Sequence, residues 1–331
     1  MAKDPILTQG IFPLEPRYHE RVWGGQRLKA SDPPVGEAWV AFGESRVLAG
    51  EHSGRSVEEL SAEYGAQFLG RAVARSFGAR FPVLVKLLDC ADWLSVQVHP
   101  NDEQAERLVG PGTFGKTEAW YFLEADARAE IYAGVKPGTT RADLESAIRG
   151  GRILELARRL EVRAGEALYI PAGTLHSLGP GLLLYEVQQA SDTTFRVYDW
   201  DRPASAGRKL HVEESVAVTD PEASPSPCTP AKLQGLNAAR ALSCHYFELD
   251  VITVGDSAFD GDTGGDSFHV LTVTDGTAEV FSRDETVRLE RFGTALVAGG
   301  AGAYGLRPGT AGAKVLRATV PPPLTEGANG G

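Results

Sequence analysis

Sulfur is scarce in this sequence: its 331 residues include three cysteines and one methionine. The cysteines Cys90, Cys228 and Cys244 are odd in number, far apart and never spaced as Cys-x-x-Cys. Disulfide frameworks and thiolate metal sites depend on paired cysteines at characteristic spacings. We therefore expect neither, and we interpret the three thiols as buried or incidental.

A net positive charge and a long apolar run are also missing. The formal net charge is −11, whereas proteins that bind the phosphate backbone of nucleic acids need a basic surface. No segment has the apolar length of a signal peptide or a membrane-spanning helix. We expect a cytoplasmic protein without nucleic-acid or membrane partners. A small anionic substrate stays compatible with this charge, because a few local cations can hold it.

The composition is that of a folded globular protein, with 42% hydrophobic and 23% charged residues. The chain exceeds the usual length of one domain, which favours a larger unit and a smaller companion. Residues 221–230, PEASPSPCTP, have the composition of a linker. The predicted divisions are a catalytic domain over 1–225, a linker over 226–240 and a C-terminal β domain over 241–331.

Short apolar runs between Gly and Pro positions predict that strands dominate the fold. Strands are expected over residues 81–88, 93–99, 119–124, 130–135, 167–170 and 182–188. Helices are expected over residues 56–77, 102–108 and 140–160, the last with a candidate interruption at Gly150 and Gly151.

Four residues with metal-ligand chemistry lie on or beside these predicted strands. Alternation along 94–99 puts Ser95, Gln97 and His99 on one face of a strand. Glu118 opens an aromatic strand, where a buried carboxylate without a partner would be costly. His176 follows a Pro-Ala-Gly turn at the end of another strand. Two imidazoles, a carboxylate and an amide oxygen suit Zn²⁺ and leave room for water or substrate.

Other interpretations of these residues stay open at this point. A single histidine is more often structural than a ligand, and Glu118 could pair with Lys116 or a distant arginine instead. Fe²⁺ and Mn²⁺ are the alternative metals.

Two segments of the chain align with one another without a gap. Residues 165–176 and 293–304 each read as a Gly turn, an apolar strand, a small-residue turn and a ring side chain, His176 in one and Tyr304 in the other. A true repeat would make the C-terminal domain a copy that has lost its metal. Short Gly-rich matches also arise by chance, so both interpretations stand.

A series of motifs occurs in order along the first two thirds of the chain. They are FPVLVK at 81–86, SVQVHPND at 95–102, GKTEAW at 115–120, YIPAGTLHSLG at 169–179 and EVQQASDTTFRVYDWDR at 186–202. Together they resemble the type I mannose-6-phosphate isomerases in their shorter bacterial form, over roughly residues 10–220.

The resemblance implies a reversible interconversion of mannose 6-phosphate and fructose 6-phosphate through an enediol or enediolate. It implies one zinc ion per chain, held by the residues in the metal-ligand positions: Gln97, His99, Glu118 and His176. It further implies a phosphate site made of Lys86, Ser95 and Arg196, and a catalytic set made of Arg196, Lys116 and Glu186.

The base that moves the proton is not decided by the resemblance. Glu186 is the first candidate, because desolvation on an apolar strand should raise the pKa of its carboxyl group. Its alternative role is to support a ligand histidine or Arg196. Lys116 could serve as a proton shuttle or a charge stabiliser. Glu37 matches a family position without a role that can be argued.

The family also implies a fold: a mainly β cupin jelly-roll barrel with helical insertions, followed by a smaller cupin-like β domain. The expected partner is a small-molecule sugar phosphate, and the expected state is a monomer or weak homodimer. Two alternatives remain: an isomerase for another aldose, or a metal-binding cupin that binds a sugar phosphate without turnover. The joint presence of Arg196, Lys116 and Glu186 favours catalysis.

Overall fold

The computed structural model describes residues 5–202, 208–255, 257–283 and 285–322. The outer ends of the predicted domains, 1–4 and 323–331, lie outside these ranges. The helices are α1 (Val57–Tyr64), α2 (Ala66–Leu69), α3 (Arg71–Phe77), α4 (Asp102–Leu108), α5 (Arg141–Arg149) and α6 (Val212–Val218). None of the helices in the described ranges is long and apolar enough to span a bilayer.

The strands outnumber the helices, so the predicted mainly β fold with helical insertions is confirmed. They are β1 (Ile11–Leu14), β2 (Arg17–Gly25), β3 (Val35–Ala41), β4 (Val83–Cys90), β5 (Val96–Val98), β6 (Glu118–Ala125), β7 (Glu130–Val135), β8 (Ala157–Glu161), β9 (Ala167–Ile170), β10 (His176–Leu178), β11 (Leu182–Gln189), β12 (Phe195–Tyr198), β13 (Ala231–Lys232), β14 (Ala238–Ser243), β15 (Glu248–Val254), β16 (Phe259–Asp262), β17 (His269–Ser282), β18 (Glu285–Leu289), β19 (Thr294–Val297) and β20 (Ala303–Thr319).

The chain forms two compact units. One contains residues 1–17, 40–83 and 230–331, and the other contains 18–39 and 84–229. That residues 1–225 and 241–331 form separate domains joined by a linker stays a prediction. The compact units differ from them because β1 pairs with β19, with Ile11 opposite Val297, which groups N-terminal with C-terminal residues.

The unit formed by 18–39 and 84–229 contains two sheets. One has the order β12-β5-β10-β7-β8 and the other the order β2-β3-β4-β11-β6-β9. A buried apolar cluster draws side chains from strands of both sheets: Trp23, Leu88, Trp120, Phe122 and Leu184 from one, and Ile131 and Leu178 from the other. This shared core holds β6, β10 and β11 in place, and β5 contributes Val96 and Val98 to a second apolar cluster.

Two predicted helices are shorter than expected. Ser56 and Glu59 form the N-terminal capping box of α1, but the helical run then breaks at Gly65 and Gly70, whose φ angles are 47° and 94°. Such positive φ values favour glycine and interrupt an α-helix.

The helix predicted over 140–160 is wrong beyond Arg149. Thr140 and Asp143 cap α5 as expected, and the helix ends at the Gly150–Gly151 pair. A 3-10 turn and β8 follow, and β8 pairs with β7 through Leu160 opposite Ile131. Pairing with a neighbouring strand therefore overrides the helical pattern of this segment.

Candidate active site

The ligand atoms of His99, Glu118 and His176 lie within 4.8 Å of one another. His99 directly follows β5, whereas Glu118 and His176 are the first residues of β6 and β10. The Nε2 atom of His99 is 3.4 Å from Glu118 Oε2, and the Nε2 atom of His176 is 3.3 Å from Glu118 Oε1. All three side chains are buried.

Main-chain carbonyl groups orient both imidazoles. The Nδ1 atom of His99 is 2.9 Å from the carbonyl oxygen of Thr193, and that of His176 is 2.9 Å from the carbonyl oxygen of Thr174. A carbonyl oxygen only accepts, so each Nδ1 carries the proton and donates it. The lone pair of each Nε2 therefore points toward Glu118.

Burial keeps these imidazoles neutral. It is the main cause that lowers the pKa of His99 to about 3, and the nearby charge of Lys116 adds to it. Burial is also the main cause of the lowered pKa of His176. Neutral imidazoles are the form that binds a metal ion.

The carboxylate of Glu118 is buried, and neither oxygen accepts a hydrogen bond from the described residues. Burial alone would raise its pKa, but the charge of Lys116 is the main cause that holds it well below the usual value. The Nζ atom of Lys116 lies 3.2 Å from Glu118 Oε2 and 3.1 Å from His99 Nε2. Buried electron-pair donors that converge in this way fit a divalent cation.

Gln97 lies at the edge of this group. In the pairing of β5 with β10, Gln97 lies opposite His176, and the amide nitrogen of Gln97 is 3.2 Å from His176 Nε2. Its amide oxygen is 3.4 Å from the hydroxyl of Ser95. Because the two ends of an amide group are assigned from hydrogen bonding, rotation by 180° would turn the oxygen toward the His/Glu/His group.

A cleft of about 390 Å³ opens beside these residues, a volume typical of small-molecule sites. The sequence-predicted residues that line it are Lys86, Ser95, Gln97, Lys116, His176, Glu186 and Arg196. The structure thus gathers the predicted phosphate and catalytic residues around one cavity.

Within the cleft, Lys86 on β4 and Glu186 on β11 form a buried ion pair of 3.1 Å. Glu186 also accepts a hydrogen bond of 3.0 Å from the indole nitrogen of Trp120. Burial is the main cause that raises the pKa of Glu186, as expected from its apolar strand. Among the described contacts, Arg196 does not meet Glu186; its Nη1 donates to the carbonyl oxygen of Lys209 at 3.0 Å.

Sequence reasoning missed several residues of the cleft. They are Arg21, Asp192, Arg208 and His211, which also line it. The Nδ1 atom of His211 accepts a hydrogen bond of 3.1 Å from the backbone nitrogen of Arg196. A contact between residues this far apart leaves no periodic pattern in the sequence. The motif over 186–202 was therefore the sequence signal nearest to this part of the cleft.

The fold and the site define a class: mainly β proteins of the cupin type that carry a buried His/Glu/His metal-binding group. A sequence model of the catalytic domain of type I phosphomannose isomerases matches residues 11–150. The mannose-6-phosphate isomerase of Streptococcus mutans is 40% identical over 257 residues, 73% of this chain and 78% of that protein. The mannose-6-phosphate isomerase ManA of Bacillus subtilis is 36% identical over 266 residues, 76% of this chain and 82% of that protein.

A solved structure agrees with these relatives. The mannose 6-phosphate isomerase from Bacillus subtilis superposes with a TM-score of 0.81 at 28% identity, and the match covers 94% of this chain and 99% of that one. The chain belongs to the mannose-6-phosphate isomerase family. The resemblance drawn from the motifs and the predicted enzyme class, an aldose–ketose isomerase, are confirmed.

Proposed function

We propose that the protein interconverts mannose 6-phosphate and fructose 6-phosphate with one zinc ion per chain. The observation that carries the proposal is the buried group of His99, Glu118 and His176 at the wall of a cleft with charged side chains. The names of the relatives at 36% and 40% identity support the choice of substrate.

The donor set supports zinc. Two neutral imidazoles, one carboxylate and the amide oxygen of Gln97 are the nitrogen and oxygen ligands that zinc accepts, and such a site leaves a position open for substrate. The carbonyl groups at 174 and 193 fix the rings of His176 and His99, and each Nε2 is left free to bind the metal. When bound, the zinc supplies a Lewis acid that stabilises negative charge on a sugar oxygen.

The isomerisation moves a proton between C2 and C1 of the open-chain sugar. We assign this transfer to Glu186, because a buried carboxylate with a raised pKa is suited to accept and return a proton near neutral pH. Its carboxylate lines the cleft, where it would reach the sugar, and its Oε1 is paired with Lys86 Nζ at 3.1 Å. Lys116 lies beside the metal ligands and would stabilise negative charge on the reacting oxygen.

The other end of the substrate carries the phosphate group. Arg196 and Ser95 line the cleft and would bind it with charge-assisted and neutral hydrogen bonds. Binding energy from this remote group would orient the reacting carbons against Glu186. The part that Lys86 has in phosphate binding is considered below.

The test is turnover of mannose 6-phosphate by the purified protein, before and after chelation and after the return of zinc. We expect activity to disappear with the metal and to reappear with zinc. The variant Glu186→Gln should keep its metal and lose about 10²–10⁴-fold in kcat. Absence of turnover in zinc-loaded protein would refute the reaction, and parallel assays with glucose 6-phosphate and unphosphorylated mannose would identify another aldose.

A further inference from the structure

The positive charge of Lys86 is already matched by carboxylates of the cleft. Its Nζ atom lies 3.1 Å from Glu186 Oε1, and both side chains are buried. Burial alone would lower the pKa of Lys86, but the charges of Glu186, Glu37 and Asp192 raise it above its usual value. A phosphate dianion placed beside Lys86 would meet these carboxylates, and like charges repel strongly in a poorly solvated site.

A rigid frame also holds Lys86 in place. Its Nζ atom lies 5.4 Å from the ring centroid of Trp39, within the range of a cation–π contact. Glu37 accepts hydrogen bonds of 2.7 Å from the indole nitrogen of Trp39 and 2.7 Å from Nε of Arg21. This frame directs the ammonium group toward Glu186.

Arg196 and Arg208 line the same cleft as Lys86. Burial is the main cause that lowers the pKa of Arg196, and the charge of Arg208 lowers it further. The Nε atom of Arg196 is buried and has no partner among the described residues. Two guanidinium groups that share a cleft wall in this way favour an anion between them.

Asp199 presents Arg208 to the cleft. The Nε and Nη2 atoms of Arg208 donate to Asp199 Oδ2 and Oδ1 at 2.5 and 2.7 Å, and Asp199 is buried. This bidentate contact uses one edge of the guanidinium group; within the described ranges no partner is found for Nη1 on the other edge. The single charge of Asp199 cannot match both Arg196 and Arg208.

Ser95 lines the cleft as well. It directly precedes β5, and β5 pairs with β12, where Arg196 lies opposite Gln97. Ser95 is buried. A hydroxyl donor and two arginines therefore line the same cleft.

We propose that Arg196 and Arg208, together with Ser95, bind the phosphate group of the substrate, and that Asp199 is the positioning residue that presents Arg208. In the same assignment Lys86 is a positioning residue for Glu186 and does not bind the phosphate. This rests on the proposed function for the identity of the substrate. It replaces Lys86 by Arg208 in the phosphate site that the family resemblance implies.

The decisive variant is Arg208→Gln in the full, zinc-loaded chain. The KM for mannose 6-phosphate and the inhibition constant of inorganic phosphate should both rise about 10- to 100-fold, the effect of one lost charge-assisted hydrogen-bonded contact. Asp199→Asn should shift the inhibition constant in the same direction. If Asp199 had a purely structural role, Asp199→Asn would lower the folded fraction and leave the inhibition constant of inorganic phosphate unchanged.

Arg202→Gln is the matched control. Arg202 donates to the same Asp199 at 3.2 Å and to Asp92 at 2.8 Å, but it is not among the residues that line the cleft. Its inhibition constant for inorganic phosphate should stay within about twofold of the parent protein, since it makes no contact with the anion. If the inhibition constant of inorganic phosphate rose equally in Arg208→Gln and Arg202→Gln, the cause would be disturbance of Asp199 and not loss of a phosphate contact.

Lys86→Met tests the second half of the assignment. It should lower kcat and leave the inhibition constant of inorganic phosphate unchanged. The proposal is overturned if Lys86→Met weakens phosphate inhibition as much as Arg208→Gln does, or if Arg208→Gln leaves it unchanged. Where a variant does not fold, Arg208→Lys or Lys86→Gln takes its place.

Calorimetric titration with inorganic phosphate separates this proposal from the proposed function. A parent protein that fails to turn over mannose 6-phosphate but binds phosphate through Arg208 would refute the reaction alone. A parent protein that turns over and binds phosphate equally with and without Arg208 would refute the phosphate site alone.

Discussion

Two buried clusters of polar side chains, one in each compact unit, differ in how their donors and acceptors match. In the unit of 84–229, His99, Glu118 and His176 direct lone pairs toward one another, and both carboxylate oxygens of Glu118 lack a hydrogen bond from described residues. In the C-terminal segment, the hydroxyl group of Tyr304 and Nδ1 of His269 form a hydrogen bond of 2.9 Å.

The second cluster also pairs its charges, with Asp250 and Glu248 as the carboxylates and Arg240 and Arg317 as the cations. Asp250 is buried, and Nη2 of Arg317 donates to its Oδ2 at 2.7 Å. Arg240 donates to the other carboxylate oxygen. Donors and acceptors therefore satisfy one another, and this cluster needs no ligand. In the first cluster the ammonium group of Lys116 lies near His99 and Glu118. Two imidazole nitrogens and two carboxylate oxygens nevertheless converge there, and a metal cation would satisfy the acceptors that Lys116 leaves.

The comparison also bears on the predicted internal repeat. Tyr304 follows β19 and a 3-10 turn near the start of β20, and His176 follows β9 and a turn at the start of β10. Both rings are buried. That the C-terminal part is a metal-free copy stays a prediction, and the matched pair of Tyr304 and His269 is consistent with it.

The largest effect should follow from Glu118→Gln, which removes the charge from the cluster that has excess acceptors. We expect the metal content to fall well below one per chain and turnover of mannose 6-phosphate to fall about 10²–10³-fold. Elemental analysis and a coupled assay measure both. Asp250→Asn is the control, because this variant should keep its metal. Full metal content in Glu118→Gln would contradict the conclusion that the first cluster binds the cation and the second does not.

Asp250→Asn itself should act on stability. Removal of the carboxylate charge leaves Arg317 without its ion-pair partner beside a buried position, whereas Arg240 keeps Glu248. The loss should cost about 3 kcal/mol in the free energy of unfolding. Denaturant unfolding with a spectroscopic probe measures the loss. An unfolding midpoint equal to that of the parent protein would show that the ion pairs of this cluster are not stabilising.

A further effect concerns the pH dependence of stability. Burial, and then the charge of Arg317, lowers the pKa of His269 from 6.5 to about 3. Between these values the unfolded chain binds a proton that the folded protein excludes, so stability should fall as the pH drops from about 6.5 toward 3, by at most about 1.4 kcal/mol per pH unit. His269→Gln should flatten this slope in denaturant titrations; parallel pH curves for the two proteins would refute the assignment.

Local patterns predicted much of the fold. The strands over 130–135 and 167–170 and the helix at 102–108 have the expected bounds, because alternation and capping residues act within a few positions. The predicted helices at 56–77 and 140–160 were too long, since a pairing partner such as β7, or a glycine at positive φ, overrides helical periodicity.

The site was predictable to the extent that its residues lie on alternating strands. Gln97 and His99 share a face of β5, and the structure brings Glu118 and His176 to them. The pairing of Lys86 with Glu186 and the presence of Arg208 in the cleft depend on contacts between distant segments. No spacing within one segment encodes such contacts.

The carbonyl groups of Thr174 and Thr193 have a consequence for how this sequence can drift. Every residue type has a main-chain carbonyl, so the proton position on His99 and His176 depends on the path of the backbone and not on the side chain that follows it. At the half-buried residue 193, replacement of threonine is therefore compatible with an unchanged ligand geometry. A relative with a different residue at position 193 could therefore keep the metal site.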